Sequence, residues 1–155
     1  MMAINGTDSS DGAASSIRVV LVDDVLLTQE CLALVLQNGA HDLAVSVVSH
    51  TNEMQEQPDV VLVNGKFHNL DDQAIQNEIS YIIETWPNVP RLIILERSDM
   101  PANTALQALR LGWHGYFPAH ERLDLLIMAI RIIRMGGIFV PSELGQYLRL
   151  ESTPS

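Results

Sequence analysis

From Ile17 onward the chain alternates short, mostly apolar runs with longer segments whose apolar residues recur at helical spacing. The runs are Ile17–Val22, Leu43–Val48, Val60–Asn64, Arg91–Leu95 and 115–118. Each is rich in β-branched or aromatic residues and apolar on both faces, as a strand buried inside a parallel sheet must be. The third run is the organising one. Pro58-Asp59 opens it and Asn64-Gly65 closes it, so turn chemistry bounds it at both ends. In such sheets functional groups sit at the carboxyl ends of the strands, and here that place holds Asn64.

The intervening segments predict helices over 26–37, from Asp71-Asp72 to Trp86-Pro87, over 101–111 and over 121–135. In the first, Leu27, Cys31, Leu34 and Val35 form an apolar face and Asn38-Gly39 supplies the stop. In the second, Ala74, Ile75, Ile79, Ile82 and Ile83 form the face, and the acids at its start suit the positive end of the helix dipole. Pro101 opens the third and Gly112 stops it; Gly136-Gly137 stops the fourth. Only residues 49–57 separate the second and third runs, which predicts one or two turns or an irregular loop in place of a crossover helix. Strands alternating with helices predict a doubly wound, five-stranded parallel sheet in a three-layer α/β/α arrangement. Residues 1–16 are small, polar and turn-rich and predict a disordered tail. The domain then spans 17–137, and 138–155 reads as a linker with a short helix opened by Pro141-Ser142-Glu143.

Composition narrows the function. The 155 residues suit one domain, and 47% apolar with 18% charged is ordinary for a globular protein. A net charge of −10, with nine Lys and Arg in no dense cluster, argues against duplex DNA binding by this domain alone. Cys31 is the only cysteine, so no internal disulfide forms; on an apolar helix face it reads as inert core in a reducing compartment. No run reaches membrane-spanning length and the N-terminus lacks signal-peptide character, so a cytoplasmic location is expected, with no membrane partner.

The predicted strand ends gather Asp23, Asp24, Asn64, Glu96 and Ala119, with His68, His114 and His120 near the same edge but without metal-ligand spacing. The stretches Ile17-Arg-Val-Val-Leu-Val-Asp-Asp24, Pro58-Asp-Val-Val-Leu-Val-Asn64, Pro87-Asn-Val-Pro-Arg-Leu-Ile-Ile-Leu95 and Gly112-Trp-His-Gly-Tyr-Phe-Pro118 resemble the receiver domains of two-component response regulators. Ala129-Ile130 followed by Gly136-Gly137 is similar to the LuxR/NarL class, whose receivers precede a helix-turn-helix DNA-binding domain. The resemblance covers residues 17–147 and implies a flavodoxin-like sheet and a role in signal-dependent transcription, with DNA reached only through a separate domain.

The resemblance also implies five functional groups, of which three are replaced. Asp23 and Asp24 match the acids that hold Mg²⁺. Asn64 stands where an aspartate accepts phosphate, Glu96 where a Ser or Thr reads it, and Ala119 where a lysine pairs with it. An amide cannot form an acyl phosphate, and nothing at the other two positions would hold its charge. The expectation is a degenerate receiver, not an enzyme, without a cofactor beyond weak Mg²⁺ binding at Asp23 and Asp24. Tyr116 matches the aromatic that swings inward on activation and, opposite Glu96, is expected to keep one rotamer. A stand-alone adaptor is an alternative to a transcriptional module, and two further rival readings are weaker. A phosphoryl acceptor at Asp59 or Asp71 would lie at the wrong end of the strand or beyond it. A nucleotide- or flavin-binding module would need a glycine-rich loop where Asp23-Asp24-Val25 stands.

The last helix carries two apolar stripes. Leu123, Leu126, Ile130 and Ile133 have core-facing spacing, which leaves Leu125, Met128, Ile132 and Met135 as a second seam. That seam predicts a homodimer, alongside other protein partners.

Overall fold

The computed structural model describes residues 16–96 and 101–141. The tail over 1–15 and the helix expected from 141–143 therefore lie largely outside the described residues. Five strands, β1 (Ile17–Val22), β2 (Leu43–Val48), β3 (Val60–Asn64), β4 (Arg91–Leu95) and β5 (Tyr116–Pro118), form one parallel sheet. Its order is β2-β1-β3-β4-β5, so the central strand is β3, as the sequence predicts. The helices are α1 (Leu26–Gly39), α2 (Gln73–Thr85), α3 (Pro101–Arg110) and α4 (Leu123–Arg134).

The period-two alternation of strand side chains builds two separate cores. Val20, Val22, Val61, Val63, Ile93, Leu95 and Tyr116 face α2 and α3, meeting Ile75, Ile79, Ile82, Ala105 and Ala108. Val19, Leu21, Val60, Leu62, Leu92, Ile94 and Phe117 face α1 and α4, meeting Leu36, Leu126, Ile127, Ile130 and Ile133. Between β2 and β3 the chain makes only a 3₁₀ turn, Thr51–Glu53, consistent with the short spacing. Glu78 of α2 anchors that crossover: its Oε1 accepts from Thr51 N (2.8 Å) and Thr51 Oγ1 (2.8 Å), and Oε2 meets His50 Nδ1 at 2.7 Å.

As the edge strand, β2 has outward backbone groups to satisfy. The Gln37 side chain covers some of them, donating from Nε2 to Leu43 O and accepting from Val45 N (2.9 Å) at Oε1. An edge occupied by a side-chain amide is a poor template for another strand.

Three local expectations need correction. The Leu27, Cys31, Leu34, Val35 face of α1 is not buried: Leu27 is 70% exposed, Leu34 61% and Val35 44%, and Cys31 is exposed rather than core. The buried face carries Gln29 and Leu36 instead. Because α1 is apolar nearly all round, periodicity does not set its phase; the Gln29 amide does, donating to Asp23 O at 3.0 Å. On α2, Ile75, Ile79 and Ile82 are buried, while Ala74 and Ile83 face solvent. His114 lies not at the carboxyl edge but at the opposite one, where its Nδ1 accepts from Arg91 N at 3.2 Å. The chain beyond α4 also returns to the sheet, pairing Phe139 with Gly115 in parallel, which no sequence signal indicated.

Candidate functional site

The carboxyl ends of β1 and β3 lie side by side because β3 pairs with β1 through Val22↔Val63. That register sets Asp23 beside Asn64, whose Nδ2 donates to Asp23 Oδ2 at 2.9 Å. The Asp23 side chain is fully buried. Its Oδ2 also accepts from Thr28 Oγ1 (2.7 Å), and its Oδ1 accepts from Val25 N (3.0 Å). These bonds seat the start of α1 on the end of β1, which explains why α1 begins without a side-chain cap of its own.

The sequence reading did not foresee Lys66. Its Nζ lies 2.8 Å from Asp23 Oδ1 and 2.8 Å from Asp24 Oδ1. Among 155 residues it is the only lysine, and it stands two positions beyond Asn64. That placement was the signal available. Lys66 is also the one non-glycine residue with positive φ among those described, at 51°. Left-handed backbone costs an L-residue about 1–2 kcal/mol, so the turn needs a compensating contact. Gly65 makes the turn tight: a Cβ there would lie 2.8 Å from Leu95 Cδ2 and 3.0 Å from Ile94 O. Gly65 N donates to Ile94 O at 2.7 Å and Glu96 N to Lys66 O at 2.6 Å. Residue 66 thus joins the ends of β1 and β4, with its ammonium on one and its carbonyl on the other.

The electrostatics follow. Burial acts to raise the Asp23 carboxyl, but hydrogen bonds from Lys66, Thr28, Val25 and Asn64 outweigh it and hold it below its ordinary 3.8. For Asp24 the hydrogen bond from Lys66 is the largest influence and lowers it as well, despite desolvation. Burial would depress Lys66, yet the two aspartates raise it above its ordinary 10.5. The carboxylates therefore add stability above pH 3.8 that is lost as pH falls through their folded-state values. Lys66 adds stability below pH 10.5 that is lost as pH rises through its own. Urea unfolding should show stability lost below about pH 4 and again above about pH 10. Unchanged stability between about pH 5 and pH 3 would mean that the carboxylates are not paired.

The remaining edge positions stand apart from this cluster. Glu96 is exposed and Ala119 half-buried, and with Asn64, Thr28, Cys31 and Phe117 they line a cleft of about 380 Å³ between α1 and the start of α4. Ala119 contributes only a methyl group to that lining. Tyr116 is 2% exposed, its ring within the α2/α3 core. His68 pairs with Asp72 (3.1 Å) and His120 lies 3.9 Å from Glu121, so the three histidines do not converge. Asp59 sits at the far end of β3, accepting from Arg18 N at 2.8 Å. On α4 and at its C-cap, Met128 and Met135 are 54% and 86% exposed, whereas Leu125 and Ile132 are half-buried against the core.

The residues do not fit the divalent ion that the fold family implies. Among the described residues no three His, Cys, Asp or Glu side chains converge as ligands. Asp23 and Asp24, the acids available, already share an ammonium.

A parallel sheet in this order, with acids closing β1, is the flavodoxin-like receiver fold of response regulators. No protein-family profile and no curated protein matches the chain. Among solved structures it is similar to a LuxR-family two-component response regulator from Aurantimonas sp. SI85-9A1, with TM-score 0.71 and 22% identity over 88% of this chain and 98% of that one. It is also similar to a LuxR-family DNA-binding response regulator from Silicibacter pomeroyi, with TM-score 0.64 and 19% identity over 81% and 97%. A third is RcsB from Salmonella enterica serovar Typhimurium, determined bound to a promoter in the presence of a phosphomimetic, with TM-score 0.66 and 16% identity over 86% and 67%. At these identities the likeness is one of fold.

Proposed function

We propose that this chain is a regulatory module that retains the receiver fold and works without phosphorylation, within signal-dependent control of transcription. The observation that carries the reading is Asn64. An amide closes the central strand, and it is spent as a hydrogen-bond donor to Asp23. Ala119 and Glu96 support the same reading, since neither would hold a phosphoryl group. Incubation with acetyl phosphate and Mg²⁺, followed by intact mass measurement, should show no phosphoryl adduct. A stable adduct on any aspartate would overturn the reading.

Signal then enters through protein contacts, and two apolar surfaces support this. One is the exposed α1 stripe of Leu27, Leu34 and Val35; the other is Met128 and Met135 on α4. The α4 seam forms a constitutive homodimer in this reading. Met128 and Met135 supply most of its energy, at roughly 1.5–3 kcal/mol each if fully buried and before association costs. Light scattering at micromolar concentration should show a dimer, and Met128→Glu with Met135→Glu a folded monomer. A monomeric wild type would remove the seam from the account. Action is expected in the cytoplasm, with DNA contacted through a separate domain. Among the described residues no helix is long and apolar enough to cross a membrane.

A further inference from the structure

The structure assigns the Lys66 ammonium as the resident cation of the acidic strand edge, a covalently tethered charge standing where the fold family implies a divalent metal ion. The inference deepens the proposed function, resting on the receiver-type reading of Asp23 and Asp24, and its test does not involve phosphorylation.

Three observations carry it. First, the ammonium is equidistant from the two carboxylates, 2.8 Å from Asp23 Oδ1 and 2.8 Å from Asp24 Oδ1, which is direct hydrogen-bonded contact. A metal ion bound by those oxygens would have to displace it. Second, Asp23 has no free capacity on the pocket side. Both its oxygens are taken, Oδ1 by Lys66 and Val25 N and Oδ2 by Asn64 and Thr28. Third, the backbone holds the lysine in place. Residue 66 adopts φ 51°, and its carbonyl accepts from Glu96 N at 2.6 Å. The carbonyl that faces β4 in this way is turned to a hydrogen bond, not offered to an ion.

The functional consequence is that the edge carries its own cation in the absence of metal, one ammonium set against two carboxylates. Mg²⁺ dehydrates reluctantly and relies on one or two carboxylates with little else, so an internal ammonium on both acids is an effective competitor. The β1, β3 and β4 loop ends are joined through residues 64 and 66 without a metal ion, which suits a module held in one state. Taking away the ammonium charge should expose a site with two carboxylates and one amide oxygen, after a flip of Asn64, for a divalent ion.

The test is Mn²⁺ titration of the whole chain, followed by electron paramagnetic resonance, on wild type, Lys66→Met and Lys66→Gly. The glycine variant accommodates the left-handed turn and keeps the test available if the methionine variant does not fold. The variants should bind Mn²⁺ about tenfold or more tightly than wild type. Equal binding by wild type and variants, or no gain in either variant, would overturn the assignment. Because the chain has a single lysine, its Nζ resonance can be observed alone in wild type. It should be ordered and unchanged by Mg²⁺; a freely exchanging ammonium, or one displaced by Mg²⁺, would overturn the assignment too. Phosphoryl incorporation by wild type would instead strike at the proposed function and leave this result standing.

Discussion

Arg91→Ala should lower the thermal midpoint by roughly 10 °C or more, corresponding to about 3 kcal/mol. Arg91 opens β4, is 4% exposed, and has no carboxylate partner among the described residues. Burial alone pushes its pKa below the ordinary guanidinium value. Its guanidinium instead gathers backbone carbonyls: Nε donates to Val89 O (3.0 Å), one terminal nitrogen to Gly112 O (3.1 Å), and the other to Pro87 O (2.6 Å) and Val89 O (2.9 Å). This ties the turn entering β4 to the turn entering β5. A buried ion pair can often be replaced by apolar groups at little cost, because both partners are removed. Here the partners are main-chain carbonyls and remain, so truncation leaves acceptors unsatisfied. Arg91→Lys should rescue only part of the loss, since one ammonium cannot span three carbonyls set by a planar fork. Circular dichroism melting checks both variants. A shift under about 2 °C for Arg91→Ala would show that water takes over the carbonyls.

The contrast between Arg91 and Lys66 shows what was legible in the sequence. Strands with apolar residues on both faces declare themselves, since burial on two sides leaves no alternation to misread. All five strands and four helices therefore lie where the pattern places them, within a residue or two. The positions of Asp23, Asn64 and Ala119 followed from the same runs, because a strand's end fixes what stands at the sheet edge. The phase of α1 did not follow. With apolar residues on every side, its orientation was decided by one polar contact, Gln29 to Asp23 O, that periodicity cannot register. The burial of Arg91 was equally hidden, because a basic residue at a strand start normally reads as solvated. Its environment is made by two turns far apart in sequence, one at Pro87 and Val89 and the other at Gly112. His114 was misplaced for a simple reason of length. With β5 only three residues long, a residue near it in sequence can lie at either edge.

Lys66 was not legible from strand-end positions, because it lies two residues past the end of β3. The chain has no lysine after β5 and a lone one just after β3, whose ammonium lies at the carboxyl edge of the sheet. Charge alone marks it. The acidic pair needs a cation, and a domain of net charge −10 with one lysine two residues past its central strand has an obvious candidate.

The same arrangement sets the outcome of restoring the missing acceptor. Asn64→Asp alone should yield no detectable phosphoprotein from acetyl phosphate, although it supplies the nucleophile. The substitution removes the 2.9 Å hydrogen bond to Asp23 and sets two carboxylates against each other in its place. Three acids then share one ammonium, and the edge repels an anionic donor. Nothing at Ala119 or Glu96 would hold the developing charge, and loss of a single such stabilising group typically costs about 10²–10³ in rate. Adding Glu96→Thr and Ala119→Lys should bring back a slow reaction. Adding Lys66→Gly as well, which frees both aspartates, should raise it by a further factor of about ten or more with Mg²⁺ in the buffer. Intact mass against time for the single, triple and quadruple variants resolves the order. Rapid labelling of Asn64→Asp alone would show that the acceptor was the only element missing, and that Lys66, Glu96 and Ala119 had been assigned too much of the silence.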